Sequence, residues 1–485
     1  MGVKREYRSR IVIEGLDRTP HRAFLRACGL DDDDLHKPLI GIVSTQGENT
    51  PCSMSLAPQA DAARIGVAAG GGVPVPFTTI SVSDGVSMNH KGMRLSLVSR
   101  EIVADSIEAV MRAHAYDALV GFAGCDKTLP GIMMAMVRLN APSVFVYGGA
   151  MLPGRWRGRD ATVLTAYESV GAVLAGTMTE ADLASLERAC APTVGSCPGQ
   201  FTANTMAMVS EAMGLAPPGS AMLPAVYSER LALARRAGQR VVEILADDGP
   251  LPRDLVTRKS LENAAAVVAA TGGSTNAGVH LPAIAHEAGL RFTLDDVAEV
   301  FARTPLLADL QPGGRYLAAD VHSAGGVDAV LKALLDGGHL DGDALTLSGR
   351  TMAEHLAHHH GPDGEVVRSA VRPLSPTGGV VMLRGNLAPD GALIKVAGLK
   401  TLKFEGRALV FDGEEACDGD LVRIDCTARS IDLLIPAEEM AARRAAYVPR
   451  QVERLAGVLE KYARLVGPAR EGAVTHAGAA SWPRG

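Results

Sequence analysis

The sequence predicts an α/β fold, with a large N-terminal domain built on a parallel sheet and a small β domain after it. Short apolar runs alternate with helix-like stretches from about residue 38 to about residue 350. This alternation is typical of a parallel sheet that helices cover on both faces. Glycine is abundant at 53 residues while aromatic residues make up only 4%, a composition that suits many tight strand-to-helix turns. Past residue 377 the helical pattern gives way to short strand-like pieces.

The predicted parallel sheet rests on three apolar runs bounded by turn residues, at residues 38–44, 118–121 and 143–147. Residues 101–114 and 200–213 carry the periodicity of helices. Functional residues in such sheets gather at the carboxyl ends of the strands, where loops lead into helices. We therefore expect the functional site in the loops that follow these strands.

The predicted C-terminal β domain follows a linker rich in Gly and Pro at residues 361–377. Turn residues separate its strand-like pieces, which suggests a small, barrel-like unit. These pieces are residues 380–383, 392–396, 408–411, 421–425 and 431–435. A charged helical pattern at residues 437–465 closes the domain. Because 485 residues are too many for one core, we predict an α/β domain at 1–365 and a β domain with its terminal helix at 366–485.

Composition excludes several classes of partner. The apolar fraction of 47% and the charged fraction of 21% describe a folded globular protein. A net charge of −6 gives no general attraction to nucleic acid or to anionic membranes. No apolar run reaches the length of a membrane span, and the first residues are charged rather than signal-like. We expect a cytoplasmic protein that binds neither nucleic acid nor membrane.

Three of the seven cysteines share one sequence context. Cys52, Cys125 and Cys197 each lie in a Gly/Pro turn directly before a predicted helix. A helix N-terminus favours the thiolate, which is the form that binds metal. The three thiols therefore suggest an iron–sulfur cluster or a zinc site with an open position. The alternative is that they are three unrelated turn cysteines.

The other cysteines fit packing roles. Cys28 and Cys190 lie in helical patterns and are expected in the core, and Cys417 and Cys426 are expected to pack in the β domain. A run of histidines that includes His355 lies at a predicted helix end. We interpret that run as a solvated helix terminus rather than a metal site.

Carboxylates stand beside the three cysteines in sequence or in similar loops. Asp126 and Lys127 directly follow Cys125, and Asp84 lies in a polar, Gly-containing loop after an apolar stretch. Carboxylate oxygens are ligands that Mg²⁺ prefers. Taken singly, each aspartate could equally be a cap or turn residue.

Several long motifs give the chain a family resemblance. GENTPCSM, SDGVSMNHKGMRLSLVSREIVADSIE, GCDKTLPGIMMAMVRLN, GSCPGQFTANTM and TGGSTNAGVHL occur in this order. They resemble the successive signatures of the dihydroxy-acid dehydratases, a group that includes the sugar-acid dehydratases. The resemblance runs nearly without interruption from about residue 8 to about residue 416 and again from residue 418 to about residue 475.

The resemblance implies a hydro-lyase that converts a small 2,3-dihydroxy acid to a 2-oxo acid, in a homodimer. It implies that Cys52, Cys125 and Cys197 hold a [2Fe-2S] cluster, with [4Fe-4S] as the alternative. It also implies that Asp84 and Asp126 bind Mg²⁺ and that Lys127 is carbamylated to supply one more oxygen ligand. The motifs favour a branched-chain substrate over a sugar acid. Residues 274–276 fall near the implied active site without an assigned role.

The chain departs from its family in the C-terminal domain. Members continue after LVFDGEEA through a PGMPEM-like segment, which supplies a glutamate ligand for Mg²⁺, and a TDGRFSG-like segment, which supplies the serine base. Here LVFDGEEA runs directly into CDGDLVRIDC. The catalytic base and one metal ligand are therefore expected to be missing, and loss of a general base typically lowers a rate about 10²- to 10⁴-fold. Three interpretations follow: an altered or shared active site, an inactive homologue that serves binding, redox sensing or assembly, or a defective copy.

Overall fold

The structure is a computed structural model that describes residues 6–410, 418–448 and 455–478. It confirms the predicted α/β class. The strands within these ranges are β1 (Leu39–Ser44), β2 (Val73–Thr78), β3 (Ala118–Ala123), β4 (Ser143–Tyr147), β5 (Gly154–Trp156), β6 (Arg159–Ala161), β7 (Val380–Leu383), β8 (Ala392–Lys395), β9 (Lys403–Arg407), β10 (Leu421–Asp425) and β11 (Ser430–Leu433).

The α-helices cover much of the remaining chain. They are α1 (Arg10–Ile13), α2 (Thr19–Ala27), α3 (Pro51–Met54), α4 (Leu56–Ala69), α5 (Asp84–Ser87), α6 (Leu95–Ala113), α7 (Thr128–Leu139), α8 (Val163–Leu174), α9 (Glu180–Glu187), α10 (Thr202–Ala212), α11 (Glu229–Ala246), α12 (Pro252–Leu255), α13 (Arg258–Ala270), α14 (Ala277–Glu287), α15 (Leu294–Arg303), α16 (Ala318–Ser323), α17 (Gly326–Asp336), α18 (Met352–Leu356), α19 (Ala437–Ala446) and α20 (Val458–Leu465). No helix in the described ranges is both long and apolar enough to cross a membrane.

The central sheet contains four parallel strands in the order β2-β1-β3-β4. All six residues of β1 are buried, as expected for a central strand with helices on both faces. Ile40 lies against Val67 and Gly72 at the end of α4, whereas a side chain at the neighbouring Gly41 would meet Met111 of α6. Because successive residues of a strand point to opposite faces, α4 and α6 lie on opposite sides of the sheet.

The C-terminal strands form two small antiparallel sheets. Strands β7 and β8 pair with each other, and β9, β10 and β11 form a sheet in the order β11-β10-β9. No closed barrel forms in the part of the chain that the structure describes. The strand predicted at residues 408–411 is wrong for residues 408–410, which the structure describes. Strand β9 ends at Arg407, and residue 411 lies outside the described residues.

Strand β9 was not predicted from the sequence because of its composition. Its sequence, KFEGR, has no apolar run, and four of its five residues are exposed. Within the described residues it pairs with β10 alone, so it is an edge strand there, with polar side chains as natural proteins commonly have at sheet edges.

A C-terminal strap, residues 472–478, lies across the N-terminal helices. Arg100 of α6 is fully buried and donates hydrogen bonds to the carbonyl oxygens of Gly472 and Ala473 at 2.7 and 2.9 Å. Farther along the strap, the His476 Nε2 atom lies 3.0 Å from Glu287 Oε1. Glu287 is itself buried and paired with Arg138 at 2.6 Å. Charged side chains inside the protein therefore hold the strap in place.

Candidate active site

The candidate active site lies where the four parallel strands end. Strand β1 leads into α3, which carries Cys52, and β2 leads into α5, which begins at Asp84. Strand β3 ends just before Gly124 and Cys125. Just past the end of β4, Ala150 forms a parallel bridge with Ser196, the residue before Cys197. The carboxyl edge of one sheet thus collects residues that are far apart in the sequence.

Hydrogen bonds join the three cysteine loops directly. The Gly195 amide donates to the Pro51 carbonyl oxygen at 2.9 Å. The Ser196 hydroxyl donates to the carbonyl oxygen of Gly124. Gly124 in turn packs against the backbone of Cys52 so closely that a methyl group there would overlap the Cys52 carbonyl oxygen. These contacts bring Cys52, Cys125 and Cys197 together.

Substitution of Gly124 by alanine is expected to destabilise the protein by about 1–3 kcal/mol, because added volume in a packed interior forces backbone shifts. The new methyl group would push the Cys52 loop away from the Cys125 loop. Urea unfolding measures the loss.

Gly171→Ala is the matched control. Gly171 lies in α8 and a side chain there meets no other atoms. The substitution to alanine should stabilise α8 by up to about 1 kcal/mol. Equal unfolding midpoints for the two variants would contradict the close packing at Gly124.

The thiols of Cys52 and Cys125 share a hydrogen bond. Cys52 is also 2.9 Å from the hydroxyl of Thr50. The hydrogen bond from Cys125 lowers the pKa of Cys52, and the same bond, together with burial, raises the pKa of Cys125. Burial first, then the charge of Asp126, raises the pKa of Cys197 to about 12. Of these three cysteines, Cys52 alone has a pKa shifted towards the thiolate form.

At two of the three cysteines, burial opposes the expected effect of a helix N-terminus. The Cys125 carbonyl oxygen accepts from the amides of Thr128 and Leu129, so Cys125 lies at the start of α7. The hydrogen bond with Cys52 and then burial raise the pKa of Cys125, and burial raises that of Cys197. A metal ion supplies positive charge and deprotonates a ligating thiol.

Two carboxylates and an ammonium group lie beside the cysteines. Lys127 Nζ contacts Asp84 Oδ2 at 2.7 Å and Asp126 Oδ2 at 3.6 Å. The hydroxyl of Ser96 donates to the other oxygen of Asp84 at 2.7 Å. Burial raises the pKa of Asp126 to about 6, with a further upward effect from Asp84 and an opposing effect from Lys127. The cluster thus combines a buried acid, Asp84, and a partly buried acid, Asp126, with one buried cation.

Within the described residues, no three His, Cys, Asp or Glu side chains are grouped so as to hold a metal ion. The ammonium of Lys127 lies between the two aspartates instead and balances their charge. The donor types nevertheless fit the groups that the sequence implies. Thiols suit iron–sulfur clusters, and carboxylates suit Mg²⁺.

Hydrogen bonds around Asp126 involve residues to which the sequence gave no role. Thr202 hydrogen bonds to the Asp126 carboxyl. The Thr202 hydroxyl is in turn 2.8 Å from the Ser274 hydroxyl and accepts from the Asn276 amide at 2.9 Å. Ser274 and Asn276 therefore support Asp126 through Thr202. The family resemblance placed residues 274–276 near the site but assigned them no role.

His280 is a second residue that the sequence analysis missed. It is buried in α14, and the guanidinium of Arg100 donates to its Nδ1 atom at 3.3 Å. Burial first, then the positive charges of Arg100 and Lys127, keeps the pKa of His280 well below its usual value. The ring is therefore neutral with its proton on Nε2, and Nε2 has no hydrogen-bond partner among the described residues.

Three other cysteines that the structure describes, and His355, lie outside the loops that form the site. Cys190 and Cys426 are buried in separate small apolar clusters, as expected, and Cys417 lies outside the described residues. The core position expected for Cys28 is wrong. This residue is exposed at the end of α2, a helix with no buried residues. His355 pairs with Asp328 at 3.0 Å.

Comparison with protein families decides the classification. The N-terminal model of the dihydroxy-acid/6-phosphogluconate dehydratases matches residues 37–355, and the C-terminal model matches residues 365–418 and 416–473. The chain belongs to this dehydratase family. Membership supports a hydro-lyase that acts on a small dihydroxy or sugar acid, and it implies a metal cofactor.

Several relatives are similar to this dehydratase-family chain over nearly their full length. It is 58% identical to dihydroxy-acid dehydratase 2 of Bordetella bronchiseptica, covering 99% of this chain and 98% of the relative. It is 51% identical to dihydroxy-acid dehydratase 3 of Bradyrhizobium diazoefficiens, with coverages of 99% and 96%. The dihydroxy-acid dehydratase of Parvibaculum lavamentivorans is 46% identical, with coverages of 97% and 96%.

The alignments also reveal a difference in length. The first extends over 559 residues although this dehydratase-family chain has only 485. The C-terminal family model matches in two pieces that meet at residues 416–418. The relative therefore has residues without a counterpart in this chain, and the two pieces meet at the position where the sequence predicts the loss of the two family segments.

Proposed function

We propose that this protein is a dehydratase that removes water from a 2,3-dihydroxy acid and releases a 2-oxo acid. The observation that carries the proposal is the meeting of three cysteine loops beside Asp84, Asp126 and Lys127. The names of the relatives favour a branched-chain precursor over a sugar acid as substrate. The domain boundary near residue 365, the homodimer and the cytoplasmic location belong to the same proposal.

In this proposal Cys52, Cys125 and Cys197 hold a [2Fe-2S] cluster, with [4Fe-4S] as the alternative. Asp84 and Asp126 bind Mg²⁺, together with Lys127 once it is carbamylated. When bound, the two metal groups supply Lewis acidity at the leaving C3 hydroxyl and at the substrate carboxylate.

The side chains of the protein position these ligands. Ser96 fixes one oxygen of Asp84, and Thr202 fixes Asp126. Hydrogen bonds from residues that do not themselves bind the metal orient its ligands. Loss of such a hydrogen bond typically lowers metal affinity about 10- to 100-fold. Carbamylation requires the Lys127 ammonium to lose a proton, after which the amine adds CO2 and releases a second proton. The carbamate formed would be an anionic oxygen donor for the metal.

The proposed reaction lacks an evident proton acceptor. The segments that carry the serine base and a glutamate ligand in the family have no counterpart in the sequence, and the lengths of the alignments agree with their absence. Turnover would then require a group elsewhere in this chain or one from a partner subunit. The second candidate function is an inactive homologue that keeps the site for binding, redox sensing or assembly, and the same missing segments favour it.

One experiment separates the two functions. The full chain is purified without oxygen, and its visible spectrum and iron content are recorded. Formation of 2-oxo acid from 2,3-dihydroxyisovalerate is then measured with Mg²⁺. Product together with cluster absorption supports the enzyme. Cluster absorption without product supports the inactive homologue, and the absence of both iron and product overturns the metal site.

A further inference from the structure

Lys395 is a charged residue next to the candidate site that the proposed chemistry does not use. It ends strand β8, on the face that covers the loop before α14. Side chains added at Gly272 and Gly278 would meet Lys395 and Leu393, respectively. This loop contains Ser274, which hydrogen bonds with Thr202. The C-terminal β structure therefore places a lysine against the loop that contains Ser274.

The ammonium group of Lys395 has one hydrogen-bond partner among the described residues. Its Nζ atom donates to the carbonyl oxygen of Gln200 at 3.2 Å. Gln200 lies on the short segment between Cys197 and Thr202, so the contact ties Lys395 to the loop that carries the third cysteine. Among the residues that the structure describes, no carboxylate forms an ion pair with Lys395.

A half-buried cation without an anion is unfavourable. Burial alone lowers the pKa of Lys395 to about 8, because a charge removed from water loses solvation that a single carbonyl dipole does not replace. The fully buried Arg230 is held by three carbonyl oxygens, and two other buried cations have a carboxylate partner. Arg138 pairs with Glu287 at 2.6 Å and Arg100 pairs with Glu101 at 2.8 Å. Lys395 thus offers an unsatisfied positive charge beside the site.

We propose that Lys395 is a substrate-binding residue whose ammonium group pairs with the carboxylate of the bound acid. The inference rests on the proposed function, since the substrates of that reaction are carboxylates. A charged hydrogen bond of this kind contributes about 10- to 100-fold to affinity. It also gives the β structure a direct part in substrate recognition.

The test measures binding of 2-oxoisovalerate, a 2-oxo acid that binds without turnover. Lysines of the full chain are reductively methylated with and without this acid, and the modification of each is read by peptide mass spectrometry. Protection of Lys395 is expected, while the exposed Lys400 serves as the internal reference. Lys395→Met is expected to weaken binding about 10- to 100-fold, Lys395→Arg less, and Lys400→Met not at all.

The thermal stability of the Lys395→Met variant distinguishes a substrate-binding role of Lys395 from a structural role. Methionine removes a charge that has no anionic partner, so the thermal midpoint of Lys395→Met should equal or exceed that of the unsubstituted protein. The upward shift of the midpoint caused by 2-oxoisovalerate should be lost. A marked fall in the midpoint of the ligand-free variant would overturn the proposal in favour of a structural role.

The outcomes distinguish this proposal from the proposed function. Unprotected Lys395, or equal affinity in Lys395→Met, overturns the binding role even if the protein turns over its substrate. Protection of Lys395 without any turnover of 2,3-dihydroxyisovalerate supports the binding role and counts against the dehydratase.

Discussion

Substitution of Cys125 by serine is expected to remove the iron–sulfur cluster. A serine oxygen is a poor replacement for a thiolate. Loss of a hydrogen bond to a metal ligand typically lowers affinity roughly 10- to 100-fold, and loss of a direct ligand should lower cluster affinity by more. The fold should persist, because the Cys125 backbone keeps its bonds to Thr128, one of them at 3.0 Å from the Cys125 amide to the Thr128 hydroxyl. Iron content and visible absorption after anaerobic purification measure the effect.

Cys190→Ser and Cys426→Ser are matched controls, since both cysteines are buried away from the site. Each should keep the iron content of the unsubstituted protein. The same spectrum and iron content in Cys125→Ser would show that the three cysteines are not cluster ligands.

Substitution of Arg100 by methionine is expected to destabilise the protein by about 3–5 kcal/mol, because it leaves a buried charge without its partner. Glu101, only 3% exposed, would lose its guanidinium partner. The carbonyl oxygens of Gly472 and Ala473 would lose their donors as well. The C-terminal strap should then detach, which limited proteolysis detects, while urea unfolding measures the loss of stability.

Arg464→Met provides the comparison for Arg100. Arg464 is 76% exposed and pairs with Glu460 one helical turn away. Such surface pairs contribute about 0.3–0.5 kcal/mol. Similar unfolding midpoints for the two variants, with the strap equally resistant to protease, would contradict the anchoring role of Arg100.

The sequence predicted the parallel sheet well because its strands are continuous apolar runs. The predicted strand at residues 143–147 agrees with β4, and β1 and β3 differ from prediction only at their ends. Strand β9 was not predicted because a polar edge strand has no such apolar pattern. Local composition identifies buried strands, whereas an edge strand depends on the partner that it finds.

The candidate site was predictable in part. The structure brings the three cysteine loops, Asp84, Asp126 and Lys127 into one region, and their roles as ligands stay a prediction. Thr202, His280 and Lys395 were missed because their importance comes from contacts between distant segments. The raised pKa values of Cys125 and Cys197 were also missed, since burial is a property of the folded protein.

The residues of the candidate site lie in loops at the ends of four different strands, and this affects how the protein matures. No short segment contains a complete set of donors, so an unfolded or nascent chain cannot pre-assemble the centre. Metal loading must therefore follow formation of the sheet. Mutations that slow sheet formation would yield metal-poor protein even though every ligand is intact.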